Sequence, residues 1–205
     1  MRTLTLTFVA AAVMLAAPSA ARAQQLTVVE VNAPAVNCVF QTNCIIPVTD
    51  STGHIDLPFI ATPGTAWLQS RTFTGAPGTP AAGKTGYMYR ISLTQASGNA
   101  DCLGGFVLNF GPVAKLPYTP GAMSDVFVVT TGGLGTIKLA GAVKTGDIIE
   151  FSLSKPLCLS GPPNDANTTF FIGLAANTTP MAAKASIWAV GTPPFYSVDA
   201  RVPTH

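Results

Sequence analysis

Charge is scarce in this chain. Only 10% of its 205 residues are Asp, Glu, Lys or Arg, against about 25% in an ordinary soluble domain. The 11 basic and 9 acidic residues form no run of one sign, which argues against nucleic acid and anionic membrane as partners. Histidine is scarcer still, with 2 in all, and one of them, His205, is the last residue. A hydrolytic triad would have to be built on His54. His54 and Asp56 stand i and i+2, on one face of an extended strand, but the chain has no G-x-S-x-G turn to supply a nucleophile. Cys-x-x-Cys is absent, which leaves neither zinc nor dithiol redox chemistry a foothold. No segment beyond residue 23 keeps apolar residues at i, i+3, i+4 and i+7 over three turns, so long helices are excluded.

What is present begins with an export signal. Arg2 precedes an apolar run from Leu4 to Ala17, and a small-residue tract ends in Ala21-Arg22-Ala23. This reads as a secretory signal peptide over residues 1–23, cleaved after Ala23; the run is short for the ~20 residues of a membrane span. Residues 24–205 then form one domain, with no membrane insertion expected after cleavage. Loss of Arg2 and Arg22 leaves as many basic as acidic residues, so the mature chain is formally neutral despite a full-length pI near 8.4. The expected location is secreted, periplasmic or at the cell surface. The short Ala-rich signal points to a bacterium, so the sequons at Asn167 and Asn177 are expected to go unused.

The dominant period is two. LTVVEV (26–31), GHIDLPFI (53–60), AWLQSRTF (66–73), YMYRISLTQ (87–95), FVLNF (106–110), DVFVVTT (125–131), GTIKLA (135–140), DIIEFSLS (147–154), TFFIGLA (169–175), ASIWAV (185–190) and FYSVDARV (195–202) read as strands. Gly, Pro, Asn and Ser clusters separate them. The fold class is all-β. About eleven strands suit a disulfide-stabilised two-sheet sandwich, jelly-roll or immunoglobulin-like in outline, better than a closed barrel. Short helical turns are placed at Pro120–Met123 and Thr179–Lys184.

Gly78–Thr85, GTPAAGKT, matches the spelling G-x-x-x-x-G-K-[ST] of a phosphate-binding loop. That motif works only when a helix follows and backbone N–H groups line the loop. Here a β-rich segment follows, and Pro77 and Pro80 remove two donors. No nucleotide is expected. KTGYMYRISL (84–93) and KTGDIIEFSL (144–153) echo one another and suggest a turn opening a strand, used twice in equivalent hairpins.

Four cysteines in an exported chain read as two disulfides. Cys38 and Cys44 can meet only if Gln41-Thr42-Asn43 turns, and these are turn formers. The expected pairs are Cys38–Cys44 and Cys102–Cys158. Among the carboxylates, Asp147 and Glu150 face opposite sides of a strand and no pair is arranged for glycoside hydrolysis by spacing alone. No catalytic residue is assigned, and no cofactor is expected beyond a weak calcium candidate at Asn164, Asp165 and Asn167, which lack the spacing of a dedicated calcium loop. Recognition falls to the aromatics Trp67, Tyr87, Tyr89, Trp188 and Tyr196. The expected function is non-enzymatic binding or assembly outside the cytoplasm. Glycans or other surface proteins are the expected partners, and self-association is compatible with an uncharged exterior. A carbohydrate-binding module using exposed rings, and then a secreted hydrolase, are the alternatives.

Overall fold

The computed structural model describes residues 22–159, 167–191 and 195–205. Alternation sets its layers. From Phe195 to Ala200, Tyr196, Val198 and Ala200 are buried while Phe195, Ser197 and Asp199 face out, as a half-buried strand requires. Fourteen strands occur among the described residues. They are β1 (Gln24–Gln25), β2 (Val28–Asn32), β3 (Thr49–His54), β4 (Trp67–Thr74), β5 (Thr85–Ser92), β6 (Leu103–Asn109) and β7 (Leu116–Thr119). The rest are β8 (Ala122–Ser124), β9 (Val126–Thr131), β10 (Leu139–Thr145), β11 (Ile148–Leu157), β12 (Phe171–Ala176), β13 (Pro180–Ala189) and β14 (Phe195–Pro203).

Two six-stranded sheets face one another. The front sheet runs β1-β10-β11-β6-β13-β14 and the back sheet β2-β9-β12-β5-β4-β3, with β7 and β8 as a separate hairpin. Every pairing is antiparallel except β2 with β9. Between the sheets lies the main core, in which Phe106 stacks on Phe151 at 4.6 Å and Tyr87 meets Phe110 edge-on at 5.3 Å.

The back sheet is also covered on its outer side. Phe73, Met88, Phe127, Val129 and Phe171 point away from the main core and pack in a second cluster with Val36, Val39, Phe40, Leu116 and Tyr118. The covering pieces are a 3-10 turn at Ala35–Val39, the loop before β5 and the β7–β8 hairpin. All six residues of β12 are buried as a result, and Gly173 is bare because the Phe127 ring occupies the space of a side chain. Cys38–Cys44 staples the covering segment and Cys102–Cys158 ties the start of β6 to the end of β11, the pairing expected from the spacing.

The two sheets meet along one side. Gly53 of β3 abuts the Asp199 carbonyl and the Val198 side chain of β14, leaving no room for a Cβ. The buried Tyr89 hydroxyl donates to the Arg201 carbonyl at 2.6 Å, and the Arg201 N–H donates to Ser70 Oγ at 3.3 Å. These bonds join the back sheet to the edge of the front one.

Several sequence expectations need correction. The segment GTIKLA is mostly connection, and the strand is Leu139–Thr145. Thr179–Lys184 is not helical: β13 begins at Pro180 because Met181 to Lys184 pair with Val202 to Asp199. Pro120–Met123 is the tip of the β7–β8 hairpin. The segment expected at 53–60 ends as a strand at His54. The K-T-G echo is not structural equivalence: Thr85 and Gly86 lie within β5, whereas Gly146 turns between β10 and β11 with φ of +59°. The loop spelling GTPAAGKT runs straight into β5, and its N–H groups at Thr79, Ala81, Ala82 and Lys84 already donate to carbonyls within the protein.

Candidate functional site

Two outer surfaces carry the aromatic and charged side chains that could meet a ligand. The first is the front face. In β6, Gly105 pairs with Trp188 and Leu103 with Ala189, so β6 has one extra residue, Gly104, against β13. Such a two-against-one bulge can turn both of its residues to one side of the sheet. Here both are glycine, and the Trp188 indole rests on them: a Cβ on Gly104 would strike its six-membered ring, and one on Gly105 its Nε1 edge. The indole is partly exposed. Phe195 pairs directly with Trp188 and is 62% exposed. Ser152 pairs with Gly105, and Ser186 pairs with Ser197, which puts three hydroxyls on the same face. Charge is present here too: Lys184 pairs with Asp199 at 2.6 Å, and Glu150 shares a cross-strand row with Ser186 and Ser197 through Val107.

The second surface is the part of the back face that the covering segment leaves open. Cross-strand register sets Asp50 beside Arg71, Gln69 beside Arg90, and Thr52 beside Gln69. Arg71 Nε donates to Asp50 Oδ1 at 2.8 Å, Gln69 Nε2 donates to the same oxygen at 2.9 Å, and Arg90 Nη2 donates to Gln69 Oε1 at 2.9 Å. Both guanidinium groups stand over the Phe171 ring, at 4.5 Å for Arg71 and 4.8 Å for Arg90. Arg90 also lies 5.1 Å from the Trp67 ring. Each cation–ring contact contributes ~0.5–2 kcal/mol depending on how dry it is. Burial, reinforced by the neighbouring charge of Arg71 and opposed by Asp50, lowers the proton affinity of Arg90.

No protein-family description, curated protein or solved structure matches this chain. What the chain can do therefore rests on the chemistry of these two faces.

The five aromatics singled out from the sequence do not form one platform. Trp67 sits on the back face and Trp188 on the front face, on opposite sides of the sandwich. Tyr87 and Tyr89 are fully buried between the sheets, so neither presents a ring to a ligand. Their hydroxyls donate to the Thr178 and Arg201 carbonyls, and burial raises the pKa of Tyr87 to about 12 and raises that of Tyr89 as well. Tyr196 is 8% exposed and belongs to the same core. The error has a physical source: β5 is buried on both faces, so alternation could not say which of its residues look outward.

His54 and Asp56 are both exposed, and His54 Nδ1 lies 2.9 Å from the Gly64 carbonyl, bonding the ring to a loop rather than to a carboxylate. Of the calcium candidates, Asn164 and Asp165 lie outside the described residues, and Asn167 is buried with its carbonyl accepting the Leu93 N–H. Sequence reasoning missed Arg71, Arg90, Gln69, Asp50 and Phe171 as a group, and it missed the Gly104-Gly105 seat. The GG pair opposite a strand Trp was the one available signal.

Proposed function

We propose that the chain is a non-catalytic binding protein working outside the cytoplasm, and that its front face stacks neutral saccharide rings on Trp188 and Phe195. The observation that carries this reading is the seat of Trp188 on two adjacent bare glycines. An indole held flat against backbone is already ordered, so stacking a sugar on its exposed side costs little further side-chain freedom. Phe195 extends the apolar surface, and Ser152, Ser186 and Ser197 offer hydroxyls around it. The charges beside the serines are Glu150, in the same cross-strand row as Ser186 and Ser197, and the Lys184–Asp199 pair, so among the described residues no unpaired cation stands there to favour acidic over neutral sugars. Two disulfides fit an oxidising compartment, and the signal-like residues 1–23 support export as the route there.

The test is a polysaccharide panel probed with the purified protein and with Trp188→Ala, Phe195→Ala and Gly104→Val. Gly104→Val displaces the indole while keeping it in the chain. The reading expects at least one neutral polysaccharide to be retained by the wild type and released by all three variants. Retention that is equal in wild type and Trp188→Ala would rule it out, as would a wholly silent panel. A monomer-to-oligomer change that Trp188→Ala abolishes, with a silent panel, would assign the face to assembly instead.

A further inference from the structure

On the other side of the molecule, a cavity of about 320 Å³ opens beside Arg71, which shares the Phe171 ring with Arg90. Ile46 and Val48 from the covering segment, Met88 and Val129 from the back sheet, and Leu134 from the β9–β10 connection give it an apolar lining. Arg71 and Phe171 stand in its wall. Its size is at the lower end of the range for small-ligand sites. Val48 and Leu134 are 39% and 60% exposed, large apolar side chains turned to solvent at the cavity.

The electrostatics are unbalanced here. Two guanidinium groups share one carboxylate, Asp50. Gln69 relays between Asp50 and Arg90 but brings no charge. Arg90 Nε is buried and has no hydrogen-bond partner among the described residues. Among the described residues Arg71 donates one hydrogen bond, from Nε. In a chain with so few charges, only three arginines follow residue 23, and two of them converge on one phenylalanine ring. A cation pair held this way, with donors to spare, is completed by an anion that accepts from both forks.

We infer that this face binds a small amphiphilic carboxylate, its apolar body in the cavity between Val48, Leu134 and Val129 and its carboxylate on the Arg71–Arg90 pair. The apolar lining selects the body, and the uncompensated guanidinium charge selects the head. This site is on the opposite sheet from Trp188 and does not depend on the saccharide reading. The same head group could come from a free acyl or aryl acid or from the terminal carboxylate of an apolar peptide.

Calorimetric titration of the full chain with decanoate, decanol, and a short apolar peptide with free or amidated C-terminus separates these cases. Decanoate is expected to bind at least about tenfold more tightly than decanol, since the alcohol forfeits the charge-assisted bonds. Arg71→Met and Arg90→Met should remove that margin while sparing the decanol affinity. Leu134→Trp, at an exposed position on the cavity, should weaken both ligands without touching the arginines, which keeps the test valid if an arginine variant folds poorly. A preference for the free over the amidated peptide that exceeds the decanoate margin would assign the site to chain termini, within the same carboxylate chemistry. Equal binding of decanoate and decanol, binding unaltered in Leu134→Trp, or no heat from any carboxylate would overturn the inference.

Discussion

Removing the two disulfides separately should cost unequal amounts, and the structure fixes the order. Cys102 and Cys158 are 56 residues apart, whereas Cys38 and Cys44 are 6 apart. Loop-closure entropy of the unfolded chain then gives about 4 kcal/mol for the first bond and about 2 kcal/mol for the second at room temperature. Native contacts should hold each site without its bond. Leu103 still pairs with Leu157 beside the long link. The covering segment is still fastened by Phe40 and Val39, whose carbonyls accept the Ala76 and Ala81 N–H groups. None of the four cysteines is fully buried, so serine in their place meets water rather than a dry core. The two sites share no partner, so the costs should add within a few tenths of a kcal/mol. The assay is urea unfolding of Cys102→Ser/Cys158→Ser, Cys38→Ser/Cys44→Ser and the quadruple variant, followed by tryptophan fluorescence and far-ultraviolet dichroism. The long-link variant should also show the larger rise in denaturant slope, because its unfolded chain expands more. A short-link variant that loses as much stability as the long-link one would refute the entropic ordering and make the covering segment a partner in the fold's stability beyond its own ring.

Two further outcomes follow from the core. Tyr87 has a folded pKa of about 12 and those of Tyr89 and Tyr118 are also raised, all first by burial, against about 10 in the unfolded chain. Above about pH 10 the unfolded state sheds these protons and the folded state keeps them, so stability is intact below that pH and falls as pH rises towards 12, by at most about 1.4 kcal/mol per pH unit for each tyrosine; urea midpoints that stay level between about pH 9 and 11 would contradict the burial of these phenols. Gly53→Ala drives a methyl into the Asp199 carbonyl and should cost about 1–3 kcal/mol as an overpacking change, read as a lower melting temperature together with faster hydrogen exchange in β14; an unchanged melting temperature would show that β3 and β14 do not touch.

Much of the sandwich was legible because a strand with one wet face alternates, as β14 does from Tyr196 to Ala200. The failures share two causes. Met181-Ala182-Ala183-Lys184 is made of good helix formers, yet it lies in β13 because the ladder to β14 outweighs intrinsic preference. Gly141 and the small neighbours of Leu139–Thr145 gave β10 too weak a pattern, and the stronger-looking GTIKLA drew the assignment upstream. The candidate sites were harder still. Nothing local links Asp50, Gln69, Arg71 and Arg90; they meet only because β3, β4 and β5 pair in one register. The Phe171 ring that gathers the arginines arrives from a strand about eighty residues later in the chain.

β14 serves both sheets at once, pairing with β13 in the front sheet and bonding to β4 and β5 of the back sheet. Gly53, Tyr89 and Ser70 all close against this one strand. Displacing that single strand would therefore unseal the sandwich along one whole side and expose the Tyr89 hydroxyl to water, without disturbing the ladders in the middle of either sheet.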